Sequence, residues 1–295
     1  MSREFQGYIY LALAMTTVGS TVIASKVIAS GLPPFTATAL RFAVAFPFFL
    51  FLMRWTGSRL PRLSGRDWLI LVTQAGAGSV GYTTLLISGL SLTSAANAGV
   101  IIGTLPVVSA AISILVLGER PQRFLLLAIG LAAAGVFSIA FSPAAGSGSL
   151  VGDMLIFGAV ICEGLFILLN KRLGIAIPPL TQSALMTAIG FIVAGVPALF
   201  EHHDIGIASQ PAVLAVVYYA LVPTVGGFIL WYAGAERVSG AEASLFTAIA
   251  PATAVIFAFL VLGEAIGSNQ IFGIACVLAA VIGLGLTSLR RTARS

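Results

Sequence analysis

Ten runs of about 20 apolar residues, separated by short polar breaks, occupy nearly the whole chain, and nothing else constrains its folding so strongly. As a helix, about 20 residues rise about 30 Å, the thickness of a bilayer's hydrocarbon core. Inside that core every backbone N–H and C=O must find a partner within the protein, which a helix supplies. The runs fall near residues 7–29, 35–54, 67–89, 94–117, 122–141, 151–171, 180–200, 211–235, 241–262 and 269–289. Of the 295 residues 59% are hydrophobic and only 8% charged, against about 25% charged in soluble domains. The expected fold is an all-α integral membrane protein with ten transmembrane helices, the bilayer as its surroundings, no partner nucleic acid and no space for a soluble domain.

Charge placement orients the helices. With the N-terminus cytoplasmic, 13 of the 15 basic residues fall on that side and only Lys26 and Arg41 lie toward the other. This is the positive-inside pattern, and it predicts both termini cytoplasmic and a multi-pass protein of the cytoplasmic (inner) membrane. The first run is too long for a signal-peptide core and no small-residue cleavage site follows it, so it reads as a retained span. Cys162 and Cys276 fall inside apolar runs and read as small buried hydrophobes. In the polar cluster EHHD at 201–204, His202 and His203 read as a solvated loop.

The chain also repeats itself. Pro106 to Glu119, PVVSAAISILVLGE, returns 145 positions later as Pro251 to Glu264, PATAVIFAFLVLGE. At the same gapless offset Lys26 meets Lys171, Pro33-Pro34 meets Pro178-Pro179, and Gly89 meets Gly234. The natural division is residues 1–145 and 146–295, on either side of the small-residue linker SPAAGSGSL at 142–150. Five spans per half is odd, so the second half enters the membrane from the opposite side and the two five-helix repeats are inverted. Glu119 and Glu264 then end their spans on opposite faces. Alternate opening of two such halves is the physical basis of a carrier.

Pro33-Pro34 followed by Arg41-Phe42, and Pro106 with Leu117-Gly118-Glu119, together with Pro178-Pro179 and Pro251 with Leu262-Gly263-Glu264, resemble the drug/metabolite transporter superfamily. The likeness is to its ten-helix EamA-type exporters, and among these to bacterial aromatic amino acid exporters of the YddG type. It departs from symmetry at Met186, which stands where the first half has Arg41. The resemblance implies spans 1, 3, 4, 6, 8 and 9 around a central cavity, with spans 5 and 10 toward the cytoplasmic closure or the packing periphery. Span two is peripheral in that picture, which favours a structural role for Arg41, snorkelling to headgroups or pairing with an acid, over binding a substrate carboxylate.

Glu163 lies about eleven residues into its span, where a carboxylate must face protein, water or a counter-charge. It is the leading candidate for proton coupling or for binding a substrate amine, with Phe166 and Asn170 continuing its face; a buried acid bonded to a neighbouring helix is the plainer reading. Further candidates for the substrate cavity are Thr17, Ser20, Thr21 and Lys26 in the first span, Gln74, Gly78 and Tyr82 in the third, and Asn97 and Thr104 in the fourth. Polar residues of this kind also serve as helix-to-helix glue. In the eighth span Tyr218, Tyr219 and Phe228 can wall a cavity for apolar or aromatic side chains, whereas Trp231 and Tyr232, nearer the span end, suit the interfacial belt. Pro106 and Pro251 are the expected hinges and Glu119 and Glu264 the expected gates, with helix-end packing as their plainer role; Glu242 reads as a helix cap. Gly130, Ala134 and Ser138 in span five, with Ala275, Ala279 and Gly283 in span ten, suit close packing within a monomer or across a weak homodimer.

These features favour a secondary transporter exporting aromatic and other apolar amino acids, a small-molecule substrate moved by alternating access without a cofactor or a metal. No Walker loop is present to make ATP the direct driver. The first alternative is proton-coupled efflux of hydrophobic cations or other small metabolites, since Glu163 occupies the first helix of its half as an acid does in small multidrug resistance proteins. An intramembrane enzyme is disfavoured, since HExxH and GxSxG are absent and no histidine falls in a span.

Overall fold

The structure is a computed structural model and describes residues 3–93, 98, 101–105, 107–109, 112, 114, 118, 123–140, 149–201, 209–262, 268, 271–276 and 278–280. Among these residues there is no strand. The helices are α1 (Arg3–Ala29), α2 (Pro34–Thr56), α3 (Gly65–Leu92), α4 (Arg123–Ala140), α5 (Leu150–Arg172), α6 (Pro179–Ala198), α7 (Gln210–Ala235), α8 (Gly240–Phe246) and α9 (Ile249–Leu262). Six of them, α1, α2, α3, α5, α6 and α7, are long and apolar enough to cross a membrane. Asn97, Pro106, Glu119 and Glu264, and the two loop histidines, lie outside the described residues.

Local sequence sets the helix ends. Pro34 and Pro179 stand at the first positions of α2 and α6, where a missing N–H costs nothing. Gly57 ends α2 with φ 65°, a backbone conformation open to glycine, and Ser58 N–H reaches back to the Met53 carbonyl at 3.0 Å. Ser64 and Asp67 form a reciprocal capping box at the start of α3. Ser239 and Glu242 do the same for α8, and the Glu242 carboxylate also accepts from the Tyr8 hydroxyl at 2.6 Å.

Two of the crossing helices change winding part-way. Ala75–Gly81 within α3 and Ala220–Gly227 within α7 are π-helical, and the two starts are 145 positions apart. Such segments are rare and collect at functional sites. The sequences AGAGSVG and ALVPTVGG hold small residues and one proline, Pro223, so little side-chain bulk resists the wider turn.

The expected unbroken ninth span is in fact divided. Thr247 and Ala248 form a turn between α8 and α9, held by Ala248 N–H to the Leu245 carbonyl and Ala250 N–H to the Thr247 carbonyl, both 3.2 Å. Pro251 has no N–H, and its ring collides with the carbonyl four residues back in a continuous helix. The chain therefore restarts its helix so that Pro251 sits in the first turn of α9, not in mid-helix. A matching turn at Gly103 and Thr104 precedes the corresponding stretch of the first half.

Glycine contacts show how the halves interlock. A Cβ on Gly7 would meet Arg237 and Val238 at 2.9 Å, and one on Gly152, 145 positions on, would meet Thr93 at 2.9 Å. Gly234 faces Leu11 and Gly89 faces Ile156, again an equivalent pair. Gly19 lies against Ala250 and Thr253, and Gly164 against Ile112 and Val108. The first helix of each half thus packs on the third and fourth segments of the other half. α2 and α6 pair along their length, with the Phe42 ring against Gly190.

Candidate functional site

The middle of α1, α2, α3, α5 and α7 encloses a cavity whose space for water-sized occupants is about 50 Å³. That holds a few waters, so anything as large as an amino acid requires the walls to part. Thr21, Gly78, Tyr82, Glu163, Phe166, Tyr219 and Phe228 are among the lining residues. The remaining expected residues lie elsewhere. Thr17 donates to the Ala14 carbonyl at 2.7 Å, and Ser20 accepts from the Tyr218 hydroxyl at 2.8 Å. Tyr218 itself is 40% exposed. Lys26 is exposed at the end of α1. Gln74 ties α3 to α5 by donating to the Phe166 carbonyl at 3.1 Å. The Asn170 carboxamide oxygen accepts from Gln182 at 2.6 Å, and the Thr104 hydroxyl donates to the Ile101 carbonyl at 2.7 Å.

Arg41 corrects the reading of span two. It does not snorkel and has no acid partner among the described residues; it is 4% exposed and lines the cavity. Its guanidinium lies between the rings of Phe42, 4.2 Å from the centroid, and Tyr219, at 4.5 Å. One terminal nitrogen donates to the Ser79 carbonyl at 3.0 Å, while Nε–H is buried without a partner. The pairing of α2 with α6 turns this face of α2 inward, so the long side chain runs across the bundle and not along it to the headgroups.

Glu163 is also in this wall, 8% exposed, with no hydrogen bond or ion pair to another described residue. The cavity therefore carries one guanidinium and one carboxyl group, each with hydrogen-bonding capacity left over. Buried polar groups in that condition are uncommon, because an unmade bond at low dielectric is expensive.

The apolar wall is one-sided. Phe166 of α5 packs on Phe228, Trp231 and Tyr232 of α7 with ring centroids 6.2, 6.1 and 5.9 Å away. Trp231 and Tyr232, expected in the interfacial belt, are 3% and 2% exposed and belong to this cluster. The π-helical segment just before them changes the phase of α7 and turns them inward. Their equivalents in the first half are Thr21, Thr83, Leu86 and Ile87, without a ring among them. Ser79, Thr83, Met15 and Trp231 were not legible as cavity residues in the sequence.

A family model described as the EamA-like transporter family matches residues 5–141 and again 150–286. The chain belongs to the EamA-like transporter family. It is thus a multi-pass transporter of the drug/metabolite superfamily, placed in the cytoplasmic membrane. This EamA-family chain is 33% identical to the uncharacterized transporter YetK of Bacillus subtilis, over 95% of this chain and 87% of that one. It is 26% identical to a probable terminal-alkyne amino-acid exporter of Streptantibioticus cattleyicolor, over 80% of this chain and 78% of the relative. A solved crystal structure superposes with a TM-score of 0.76 over 98% of this chain and 99% of the other at 18% identity, a likeness of fold alone.

Proposed function

We propose that this EamA-family transporter exports zwitterionic amino acids with aromatic or other apolar side chains by alternating access. The observation that carries the proposal is that Arg41 and Glu163 face one cavity unpaired with each other or with any other described charge. A guanidinium offers paired donors to a carboxylate, and a carboxylate attracts an ammonium group. The ring cluster of Phe166, Phe228 and Trp231 beside them suits an apolar side chain. Efflux of hydrophobic cations fits less well, since Arg41 would repel them.

The proposed architecture is ten spans with both termini cytoplasmic and two inverted halves, 1–145 and 146–295. The reciprocal glycine contacts and the paired π-helical segments at one offset support it. Thr17, Ser20, Lys26, Gln74, Asn97, Thr104, Asn170 and Tyr218 are assigned to the surroundings of the cavity or to its other access state. Pro106 and Pro251 serve as hinges, Glu119 and Glu264 as gates.

Counterflow in proteoliposomes tests the reading. Labelled L-phenylalanine should accumulate in vesicles loaded with the unlabelled amino acid. Phenylpropionate, which lacks the amine, and phenylalanine amide, which lacks the carboxylate, should compete at least about tenfold more weakly, as expected for one lost charge-assisted hydrogen bond. Glu163→Gln should weaken L-phenylalanine and leave phenylpropionate unchanged. Exchange of quaternary ammonium dyes without exchange of any amino acid would overturn the proposal.

A further inference from the structure

Arg41 contacts the first π-helical segment directly and reaches the second through Tyr219, the residue that leads into it. On one side its guanidinium donates to the carbonyl of Ser79, in the middle of Ala75–Gly81. On the other it rests on the ring of Tyr219, the residue immediately before Ala220–Gly227. The equivalent position in the second half is Met186, which can make neither contact with charge.

A π-helical segment holds one residue more than the α-helix of the same number of turns. If it tightens to α, the part of the helix beyond it rotates by about 100°, one residue's share of a turn of 3.6. For α3 that moves Tyr82 and Thr83, both in the cavity wall; for α7 it moves Phe228 and Trp231. The Ser79 carbonyl has two side-chain donors, Arg41 and the Thr83 hydroxyl, at 3.0 and 2.9 Å. The wider winding of α3 thus depends in part on where the guanidinium points.

We infer that Arg41 is the positioning residue through which a carboxylate in the cavity acts on the two π-helical segments, a role that rests on the amino acid reading of the same cavity. Of the five N–H donors of the guanidinium, Nε–H has no partner in this arrangement. A carboxylate bound in the two-pronged manner takes Nε–H together with a terminal N–H. The terminal nitrogen on that edge is Nη2, the atom that donates to Ser79, so the carboxylate competes with the Ser79 carbonyl for it and draws the guanidinium off the Tyr219 face. Of the two side-chain donors to Ser79 only the Thr83 hydroxyl is then left, and both segments are released toward α-helical winding. Ligand charge is converted into rotation of the wall on both sides of the cavity at once, which is what an exporter with so small a cavity requires.

The test is hydrogen exchange read by mass spectrometry on the full chain in nanodiscs, over peptides covering residues 75–82 and 220–228. Saturating L-phenylalanine should lower exchange several-fold in both stretches of the wild type, as α-helical hydrogen bonds replace the π-helical ones. Phenylalanine amide at saturation should leave both unchanged. Arg41→Lys keeps a positive charge, so it should retain L-phenylalanine binding within about tenfold, yet lose the ligand-dependent change, since an ammonium group cannot hold the Ser79 carbonyl and cover Tyr219 together. Arg41→Met, which repeats the side chain at Met186, is the second variant should the lysine fold poorly, and it should lose both binding and response. An equal response to the amide, a response preserved in Arg41→Lys, or bound L-phenylalanine with no change in the wild type would each overturn the coupling while leaving the amino acid reading intact. Failure of the wild type to bind any zwitterion would overturn both.

Discussion

Replacing Gly19 by alanine should unseat α1 from α9, and the structure sets the size of the effect. A Cβ there would stand 2.0 Å from the Thr253 hydroxyl oxygen and 2.5 Å from the Ala250 carbonyl oxygen. The hydroxyl can rotate away, but the carbonyl is backbone, next to Pro251 in the first turn of α9. To restore an ordinary contact the helices must separate by about 0.9 Å, and overpacking of that kind costs about 1–3 kcal/mol. Gly164 is the equivalent residue, yet its nearest neighbour is the Ile112 methyl end at 2.7 Å, with Val108 and Ser109 beyond 3.5 Å. A flexible side-chain tip gives way, so Gly164→Ala should cost under about 1 kcal/mol, offset by the gain in helix propensity. Gly195 has nothing within 4 Å, and Gly195→Ala should stabilise by about 0.4–1 kcal/mol. Thermal unfolding in detergent, followed by tryptophan fluorescence, reads the difference. At about 2–4 °C per kcal/mol, Gly19→Ala should fall by about 2–12 °C while the other two move by no more than a few degrees. A Gly19→Ala protein as stable as the wild type, or a Gly164→Ala protein equally damaged, would refute the packing argument.

Three further outcomes follow from single contacts. Glu201 accepts from the Phe35 and Thr36 backbone amides at 2.9 and 2.7 Å and so caps α2 from the end of α6; Glu201→Ala should destabilise by about 1–2 kcal/mol in the same unfolding assay. Lys171 donates to the Ala235 and Val238 carbonyls at the end of α7, whereas Lys26 has no partner among the described residues. Lys171→Met should therefore lower the unfolding temperature and Lys26→Met should leave it within about 2 °C of wild type, surface changes being worth about 0.5 kcal/mol or less. Phe228→Leu thins the ring cluster and should shift competition in counterflow from L-phenylalanine toward L-leucine by about tenfold, because an aromatic pair contributes about 0.5–1.5 kcal/mol beyond burial; unchanged selectivity would remove Phe228 from the side-chain pocket.

Much of the scaffold is written in the chain. Hydropathy places the six clear membrane helices because a span is a local property: length and transfer free energy decide it before any contact forms. The offset of 145 is visible because repetition needs no geometry to detect, and it carries the two-repeat reading that the family model also finds. Glu163 stands out because burying a carboxylate that deep in a span is costly, so its mere position marks it. Facing direction is different in kind. Position along a helix assigns Arg41, Trp231 and Tyr232 to the membrane boundary, but which way they point is set by helix phase and by the neighbour that covers them. The π-helical segments shift that phase within α3 and α7, and no periodicity count across an assumed α-helix can carry through them. The same holds for Pro251, which the sequence marks as a bend and the fold makes a restart, after a turn at Thr247 and Ala248. The sequence alone determined that this chain lies in a membrane as a repeated helical transporter, since solvation and repetition are additive along it. Only the tertiary structure decided that a guanidinium and a carboxyl group share one small cavity, since that depends on where separate helices meet.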